Sequence, residues 1–360
     1  MIKSSPTMEY LSFDPKTKQL TLETCVIPKA KGEEILIKVA YSGICGTDLH
    51  ILNGSFPAKT DAPFSLGHEF SGTVESVGKE VVGFKVGQRV AVDPNSGCNK
   101  CNHCRDGRYH FCDNGGINNT IGIFRDGGWA THVLVPESQE NKKIFKCLAN
   151  FSVYLVPNDV EMHQAALTEP MSCIAHGWDI LSPVNIGHKV LIIGAGIIGL
   201  LWACVLHING LRKTVTVAER LPSRQKQIEK LNLDYKGSSM ENLTNEKFDL
   251  AIDCSGSAAA MEAAFPLLRR GGCLCVFGVA KPDATMAISP FKMYMNELTI
   301  KGVIINPHTF EKGLALVQAM SDHYLDYNKL GIKIYKLSEY KEALEALSKG
   351  EVSKAVFKCS

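Results

Sequence analysis

A glycine-rich turn that follows an apolar run is the feature that most constrains the fold of this chain. Residues 194–199 read Gly-Ala-Gly-Ile-Ile-Gly, directly after the run Val190–Ile193 and before a helix-like stretch. Gly194 permits a tight turn, Gly196 lets a phosphate approach the backbone, and Gly199 lets the helix pack against the strand. The strand before the turn and the helix after it predict a dinucleotide site, with the phosphates at the helix N-terminus.

An acidic residue farther along the chain supports this interpretation. Glu219 follows the apolar run Thr214–Ala218 and lies 20 residues after Gly199, where an acid can bind both ribose hydroxyls. Glu219 would repel a 2′-phosphate and therefore favours NAD, whereas Arg220 and Arg224 could accept that phosphate, so NADP is the alternative. The turn and this strand end predict the following cofactor-binding residues: Gly194, Gly196, Ile197, Ile198, Gly199, Glu219, Arg220 and Arg224.

The strands and helices predicted by periodicity divide the chain into two kinds of structure. Before about residue 160, the short runs Glu34–Tyr41, Phe70–Val77 and Gln88–Val92 alternate in polarity or are rich in valine, which is typical of antiparallel strands. After it, Phe248–Asp253 and Cys273–Phe277 alternate with helix-like stretches. This alternation of strands and helices predicts a parallel sheet with helices on both faces, and hence an α/β protein.

The C-terminal part is too small to form a domain of its own. Leu298–Ile305 is predicted as the last strand of the parallel sheet, and the helices Glu311–Met320 and Leu337–Leu347 and the strand Ala355–Lys358 follow it. This tail is expected to pack on the N-terminal part. The predicted organisation is a β-rich part over 1–160, with 307–360 packing back on it, and a dinucleotide-binding part over 161–306.

Charge and composition exclude several classes of partner. The 360 residues carry a formal net charge of +2, which does not favour nucleic acid or a membrane surface. The longest apolar stretch, Val190–Leu206, is shorter than the roughly 20 residues of a membrane-spanning helix. Met1–Tyr10 is polar, unlike a secretory signal, so a cytoplasmic protein is expected.

Four of the thirteen cysteines are clustered. Cys98, Cys101, Cys104 and Cys112 form the pattern C-x2-C-x2-C-x7-C. Four thiolates at such spacing can close a tetrahedral zinc site that has no open position, which is a structural site. An iron–sulfur cluster is an alternative, but no second cluster motif accompanies the loop, and zinc is favoured.

A second set of metal-ligating residues is spread along the chain. Cys45 begins the run Cys-Gly-Thr-Asp-Leu-His, His68 and Glu69 are adjacent, and Glu169 precedes a proline. Each of these residues is unremarkable by itself. Together they offer a thiolate, an imidazole and carboxylates, which are the ligands of a zinc ion that keeps one position open for water or substrate.

The order of these motifs resembles that of a known family. Residues 45–48 (CGTD), 67–69 (GHE), the four-cysteine loop, 127–130 (GGWA), Glu169-Pro170 and the glycine turn succeed one another along essentially the whole chain. This combination is similar to the zinc-containing medium-chain dehydrogenases. The similarity is greatest to the polyol branch, which includes sorbitol, arabinitol, butanediol and threonine dehydrogenases.

The resemblance implies a fold and a set of roles. It implies a GroES-like catalytic domain and a Rossmann coenzyme domain, with the active site in the cleft between them. Zn²⁺ would be bound twice in each chain, once at the four cysteines and once at a catalytic site. The catalytic zinc would be bound by Cys45, His68 and Glu169, with Glu69 as an alternating or water-linked ligand. Thr47 and His50 match the positions of a proton relay.

The resemblance also extends the cofactor site and suggests an assembly. Val279 and Ile304 are expected to contact the cofactor, and the chain is expected to form a homodimer or homotetramer. One departure concerns Ile305-Asn306, which stands where mammalian sorbitol dehydrogenase has an Arg-Tyr pair. This removes a cationic donor near the polyol hydroxyls and makes sorbitol itself a less favoured substrate.

The expected activity is reversible transfer of hydride from a secondary alcohol of a pentitol or hexitol to NAD(P), which gives a ketose. The proton would leave through Thr47, the nicotinamide ribose and His50. Alternatives are a butanediol- or threonine-type secondary-alcohol dehydrogenase and an NADP-dependent ketone reductase. A zinc-free reductase and a non-catalytic protein are disfavoured because both ligand sets are present. A primary-alcohol enzyme is disfavoured because Glu169 stands where such enzymes commonly have Cys.

Overall fold

The N-terminal part of the chain is built from short strands. The computed structural model describes residues 5–135 and 152–360, so part of the N-terminal segment used to judge localisation lies outside the described residues. The strands are β1 (Thr7–Asp14), β2 (Gln19–Val26), β3 (Ile35–Gly43), β4 (Phe64–Ser65), β5 (Phe70–Val77), β6 (Arg89–Val92), β7 (His132–Val135) and β8 (Val153–Leu155). Two helices accompany them: α1 (Gly46–Asn53) and α2 (Asn102–Arg105).

Two helices link this part to a second sheet: α3 (Met162–Ala165) and α4 (Thr168–Leu181). Strands and helices then alternate. They are β9 (Val190–Ile193), α5 (Ile197–Ile208), β10 (Val215–Ala218), α6 (Pro222–Lys230), β11 (Lys236–Ser238), β12 (Phe248–Asp253), α7 (Ala258–Ala264), β13 (Leu268–Val276), α8 (Pro290–Asn296) and β14 (Thr299–Gly302). The tail contains α9 (Phe310–Met320), α10 (Tyr327–Leu330), β15 (Ile332–Lys336), α11 (Tyr340–Ser348) and β16 (Lys354–Lys358).

The second sheet is parallel throughout and has the strand order β11-β10-β9-β12-β13-β14. The order reverses between β9 and β12, and parallel sheets bind ligands beside the carboxyl ends of the strands at such a point. The glycine turn follows β9 directly and leads into α5. The predicted fold class, a β-rich part with a Rossmann-type parallel sheet, is confirmed. The domain limits 1–160 and 161–306 stay predictions.

The last strands of the chain belong to the N-terminal sheet. β16 pairs antiparallel with β3 and parallel with β15, and the sheet continues through β5, β6 and β8. Phe357 of β16 is fully buried and packs its ring edge-on against Trp129, with 5.5 Å between the ring centroids. The tail therefore completes the hydrophobic core of the N-terminal part.

Three sequence-based boundaries differ from the structure by three residues or more. The predicted strand Leu298–Ile305 ends at Gly302, because Ile305 has a backbone φ of +43°, which an extended strand cannot contain. The predicted strand Cys273–Phe277 starts earlier, at Leu268. The predicted helix Leu337–Leu347 begins with a 3₁₀ turn, and its α-helical part starts at Tyr340.

No helix in the described ranges is both long and apolar enough to span a bilayer.

Close packing at Gly199 predicts the effect of enlarging that residue. An added Cβ would lie 1.9 Å from the carbonyl oxygen of Gly194, so the turn itself would have to move. Overpacking of this kind costs about 1–3 kcal/mol. We expect Gly199→Ala to lower the free energy of unfolding by at least that amount, measured by urea denaturation. At Gly196 an added Cβ meets nothing within 4 Å, so Gly196→Ala is the control and should lose much less. Equal midpoints for the two variants would contradict this description of the turn.

Candidate active site

A cavity of about 700 Å³ lies between the N-terminal sheet and the parallel sheet. Cys45, His68 and Glu69 line it from the N-terminal part, and Ile198 and Phe277 line it from the parallel-sheet part. The cavity thus joins the predicted metal ligands to the end of the glycine turn.

Three of the predicted metal ligands lie together at this cavity. The ligand atoms of Cys45, His68 and Glu69 are all within 4.8 Å of one another. We call these residues the ligand trio. Cys45 caps the N-terminus of α1, and its N–H donates to Oδ2 of Asp48 at 2.8 Å. The start of α1 therefore determines where the thiol lies.

Asp48 also orients the histidine of the trio. Its Oδ1 atom lies 3.4 Å from Nδ1 of His68, and both side chains are buried. Burial alone would lower the pKa of His68, but the Asp48 carboxylate and the Cys45 sulfur raise that pKa well above its ordinary value. The site therefore stabilises positive charge, as a cation site must. A carboxylate that holds a histidine ring is the usual companion of a metal-bound histidine.

Glu69 forms a buried ion pair with Lys354 of β16, and each side chain is 1% exposed. The Lys354 ammonium also donates to the carbonyl oxygen of Ile44 at 3.2 Å. Burial would lower the pKa of Lys354, but the carboxylate of Glu69, with Cys45 and Asp48, raises it. Lys354 thus remains charged inside the protein beside the ligand trio.

Glu169 lines the same cavity but is outside the compact trio. It is buried on α4, and its Oε1 atom accepts a hydrogen bond from Sγ of Cys173 at 3.4 Å. Burial and the nearby Glu69 raise the pKa of Glu169 to about 7, against the opposing effects of His68 and Lys354. A thiolate, an imidazole and two carboxylates around one cavity fit a zinc ion with an open position.

The two predicted relay residues lie on α1. Thr47 and His50 both line the cavity. Nδ1 of His50 lies 3.1 Å from the hydroxyl of Ser55, and that hydroxyl donates to Oδ1 of Asn53 at 2.5 Å. His50 is therefore linked to polar side chains that do not line the cavity.

A second cavity of about 960 Å³ follows the glycine turn and shares Cys254 and Ser255 with the first. Most of the predicted cofactor residues lie in these cavities. The second cavity is lined by Gly194, Gly196, Glu219, Arg220 and Arg224, and the first by Ile198, Val279 and Ile304. Ile197 and Gly199 belong to the same turn but line neither cavity. Gly199 packs against Gly194 and Ile192, and Ile197 packs against the hydrophobic core.

Glu219 is engaged by the backbone. Its two carboxylate oxygens accept the N–H groups of Ala195 and Leu221, each at 2.9 Å, and the residue is buried. The carboxylate thus fastens the glycine turn to the end of β10. Arg220 is exposed, and Arg224 is half-buried with no hydrogen-bond partner for its Nε atom among the described residues.

The four cysteines of the loop also lie together, with all sulfur atoms within 4.8 Å of one another. Cys101 caps α2 and accepts the N–H of Cys104 at 3.5 Å. Burial would raise the pKa of Cys98, but the backbone N–H groups of Lys100 and Cys101 lower it to about 7. A thiolate is thus available near neutral pH, and four convergent sulfurs fit a closed zinc site.

The sequence did not assign roles to Asp48, Lys354 or Asn306, although all three contact site residues. Asp48 could have been found from its spacing, because a carboxylate three residues after a helix cap often reaches back to the cap. Lys354 lies 285 residues from Glu69, and no local pattern signals that pairing. Asn306 is fully buried between the two halves of the molecule.

Comparison with known proteins agrees with this geometry. Residues 31–144 match the family model of the alcohol dehydrogenase GroES-like domain, and residues 198–319 match that of the zinc-binding dehydrogenases. An L-threonine 3-dehydrogenase of Rhizobium etli is 31% identical over 94% of both chains. The D-arabinitol dehydrogenase 1 of Uromyces fabae is 29% identical over 95% of both chains.

A solved structure supports the same assignment. A protein of Sinorhizobium meliloti, described as a zinc-binding dehydrogenase and solved with NADP, superposes with a TM-score of 0.84 at 28% identity. The match covers 98% of this chain and all of the other. The chain is therefore an oxidoreductase of the zinc-binding alcohol dehydrogenase family, the zinc-containing medium-chain dehydrogenases.

Proposed function

We propose that the protein transfers hydride reversibly between a secondary alcohol and a nicotinamide dinucleotide. The main support for this proposal is the position of the ligand trio. It lines a cavity that shares Cys254 and Ser255 with the second cavity, which follows the glycine turn. A dinucleotide bound along both cavities would bring its nicotinamide to the alcohol site. Cys45 and His68, with Glu69 or Glu169, would hold a catalytic zinc there, and the four-cysteine loop would hold a structural one.

When bound, zinc supplies a Lewis acid that favours the deprotonated form of an alcohol. The protein's own residues would then orient the substrate and move the proton. Thr47 cannot act as a base by itself, because its hydroxyl does not ionise near neutral pH, so it would pass the proton onward. The imidazole of His50 would take up the proton, and Ser55 is positioned to orient its ring.

The substrate proposed here is a secondary alcohol with a neighbouring hydroxyl group, which includes the pentitols and hexitols expected from the sequence. The resemblance to an arabinitol dehydrogenase supports this class. A threonine-type substrate is less well supported, because no Lys or Arg among the described residues lines the cavity to pair with its carboxylate. The product would be the corresponding hydroxyketone or ketose.

Both nicotinamide cofactors remain candidates, with NAD proposed as the principal one. Glu219 supports NAD if one of its oxygens also accepts a ribose hydroxyl. Arg220 and Arg224 line the same cavity and could bind a 2′-phosphate, and the related S. meliloti protein was solved with NADP.

We further propose a cytoplasmic homo-oligomer. β14 is at the edge of the parallel sheet, and the neighbouring α8 exposes Phe291 and Tyr294, which are 72% and 81% exposed. An open strand edge beside exposed aromatic rings favours association with a second copy. Light scattering that gives the mass of a single chain would contradict the oligomer.

Initial rates on a panel of alcohols test the proposed reaction. We expect cofactor reduction with at least one of xylitol, ribitol, arabinitol, sorbitol or 2,3-butanediol, assayed with NAD and NADP in parallel. Threonine is included as the charged member of the panel. The absence of turnover with every alcohol, in a preparation shown to contain two zinc ions per chain, would contradict the proposal.

Removing the thiol of the ligand trio should abolish turnover. Cys45→Ala takes away the only sulfur of the ligand trio, so we expect zinc content to fall by one ion per chain and kcat to fall by at least about 10³-fold. The circular dichroism spectrum should not change. The matched control is Cys25→Ala, at an exposed cysteine of β2, which should keep both zinc ions and full activity. Activity retained by Cys45→Ala would refute the assignment.

Removing a cysteine of the four-cysteine loop should lower the stability of the protein. Cys101→Ser replaces the thiol by a hydroxyl that can still cap α2, and we expect it to lose the other zinc ion. Loss of a structural metal should lower Tm by several degrees and make the protein sensitive to chelators. An unchanged Tm, with both metals retained as in Cys25→Ala, would argue against a metal at the loop.

A further inference from the structure

The loop that follows β14 places a strained residue in the lining of the 700 Å³ cavity. Ile304 and Ile305 both line this cavity. Ile305 has φ +43°, in the left-handed region that β-branched residues rarely adopt, because the Cβ atom meets the neighbouring carbonyl. Such a conformation persists only where surrounding contacts hold it. The contacts of the next residue, Asn306, provide this support.

The side chain of Asn306 uses both its N–H groups and its carbonyl oxygen. Its Oδ1 accepts from Nδ2 of Asn95 at 2.7 Å. Its Nδ2 donates to Oδ1 of Asp93 at 3.1 Å and to Oγ of Ser172 at 2.9 Å. Asp93 and Asn95 follow β6, whereas Ser172 is on α4, and all four residues are buried. One amide therefore fastens the loop to both halves of the protein.

The backbone of Asn306 is held by the four-cysteine loop. Tyr109, which lies between Cys104 and Cys112, donates from its hydroxyl to the carbonyl oxygen of Asn306 at 3.3 Å. Its ring packs edge-on against His308, with 5.0 Å between centroids. Asn306 and His308, which follow the strained position, are thus anchored, and these contacts hold the backbone that places Ile305 at the cavity.

The same network occupies polar groups that line the cavity. Asn95 and Thr120 line the cavity, but Thr120 donates to Oδ1 of Asn95 at 2.7 Å while the amide nitrogen of Asn95 is bound to Asn306. These hydrogen bonds use the hydroxyl hydrogen of Thr120, one N–H group of Asn95 and one lone pair of its Oδ1, so fewer donors and acceptors are left for a substrate hydroxyl. Six apolar side chains also line the cavity: Phe56, Phe111, Ile117, Ile123, Ile304 and Ile305.

We propose that Asn306 is a specificity-determining positioning residue, which holds Ile305 at the cavity so that substrates with a short apolar end are selected. This rests on the proposed function, in which the cavity binds the alcohol. A hydroxyl left without a partner against an apolar wall loses its hydration without replacement, so a fully hydroxylated chain is disfavoured. The substrate class is a vicinal diol with an alkyl end, and 2,3-butanediol is the probe, compared with xylitol.

Two variants test the proposal by the ratio of kcat/KM for 2,3-butanediol to that for xylitol. Ile305→Gly keeps the left-handed backbone without strain and removes the apolar side chain. We expect this ratio to fall about tenfold, through a higher KM for butanediol with a kcat changed by less than about twofold. Asn306→Ala should lower the ratio in the same direction. The double variant should fall little further, because both changes act on one contact.

A matched control separates positioning from general destabilisation. Gln164 is another buried amide, and it donates to the carbonyl oxygens of Ser321 and Leu325 at 2.9 and 3.3 Å without lining the cavity. Gln164→Ala should lower Tm and leave the ratio unchanged. Equal losses for both substrates in Asn306→Ala, or effects of Ile305→Gly and Asn306→Ala that add in full, would overturn the proposal.

Failure of the proposed function would be seen separately. If the zinc-loaded wild type turns over no alcohol, the proposed reaction is wrong. Calorimetric titration of the NAD-loaded protein with 2,3-butanediol and with xylitol still tests whether the apolar lining of the cavity selects an alkyl end. Tighter binding of butanediol that is lost in Ile305→Gly supports the inference, and equal or weaker binding of butanediol by the wild type overturns it.

Discussion

The buried ion pair between Glu69 and Lys354 is the contact on which the rest of the site depends. Glu69 precedes β5 and Lys354 begins β16, so the pair forms only when the tail returns to the N-terminal sheet. Loss of one partner of a buried pair typically costs about 3–5 kcal/mol, because the other charge is left uncompensated. The position of the ligand trio therefore depends on the position of the tail.

The balance of charge around this pair explains why the site suits a cation. Asp48, Glu69, Glu169 and the thiol of Cys45 lie around Lys354 and His68, and the three carboxylates are buried. Burial is the main cause of the raised pKa of Glu169, about 7, and the nearby Glu69 adds to it. A divalent ion would offset the excess negative charge, so binding of the ion and ionisation of these groups favour each other.

Local sequence patterns predicted correctly those elements whose structure depends on neighbouring residues. The strands Val190–Ile193 and Phe70–Val77 have the predicted bounds, and the glycine turn follows β9 as expected, because each depends on residues within a few positions. The ligand trio and the four cysteines were predicted as metal ligands from the motifs in which they occur. The Glu69–Lys354 pair depends on how distant segments pack, and no periodicity records it. The early end of β14 likewise depends on the contacts of Asn306, which come from three separate segments.

The architecture separates the chemistry from the selection of substrate. The glycine turn, Cys254 with Ser255, and the loop after β14 all follow carboxyl ends of parallel strands, so they meet at one edge of that sheet. The ligand trio comes from the antiparallel part and faces the same space. Changes in the loop after β14 can therefore alter the cavity wall while the metal ligands keep their geometry. Since that loop is tied by Asn306 to Asp93 and Asn95, a change at Ile305 would be tolerated more readily than one at its anchor.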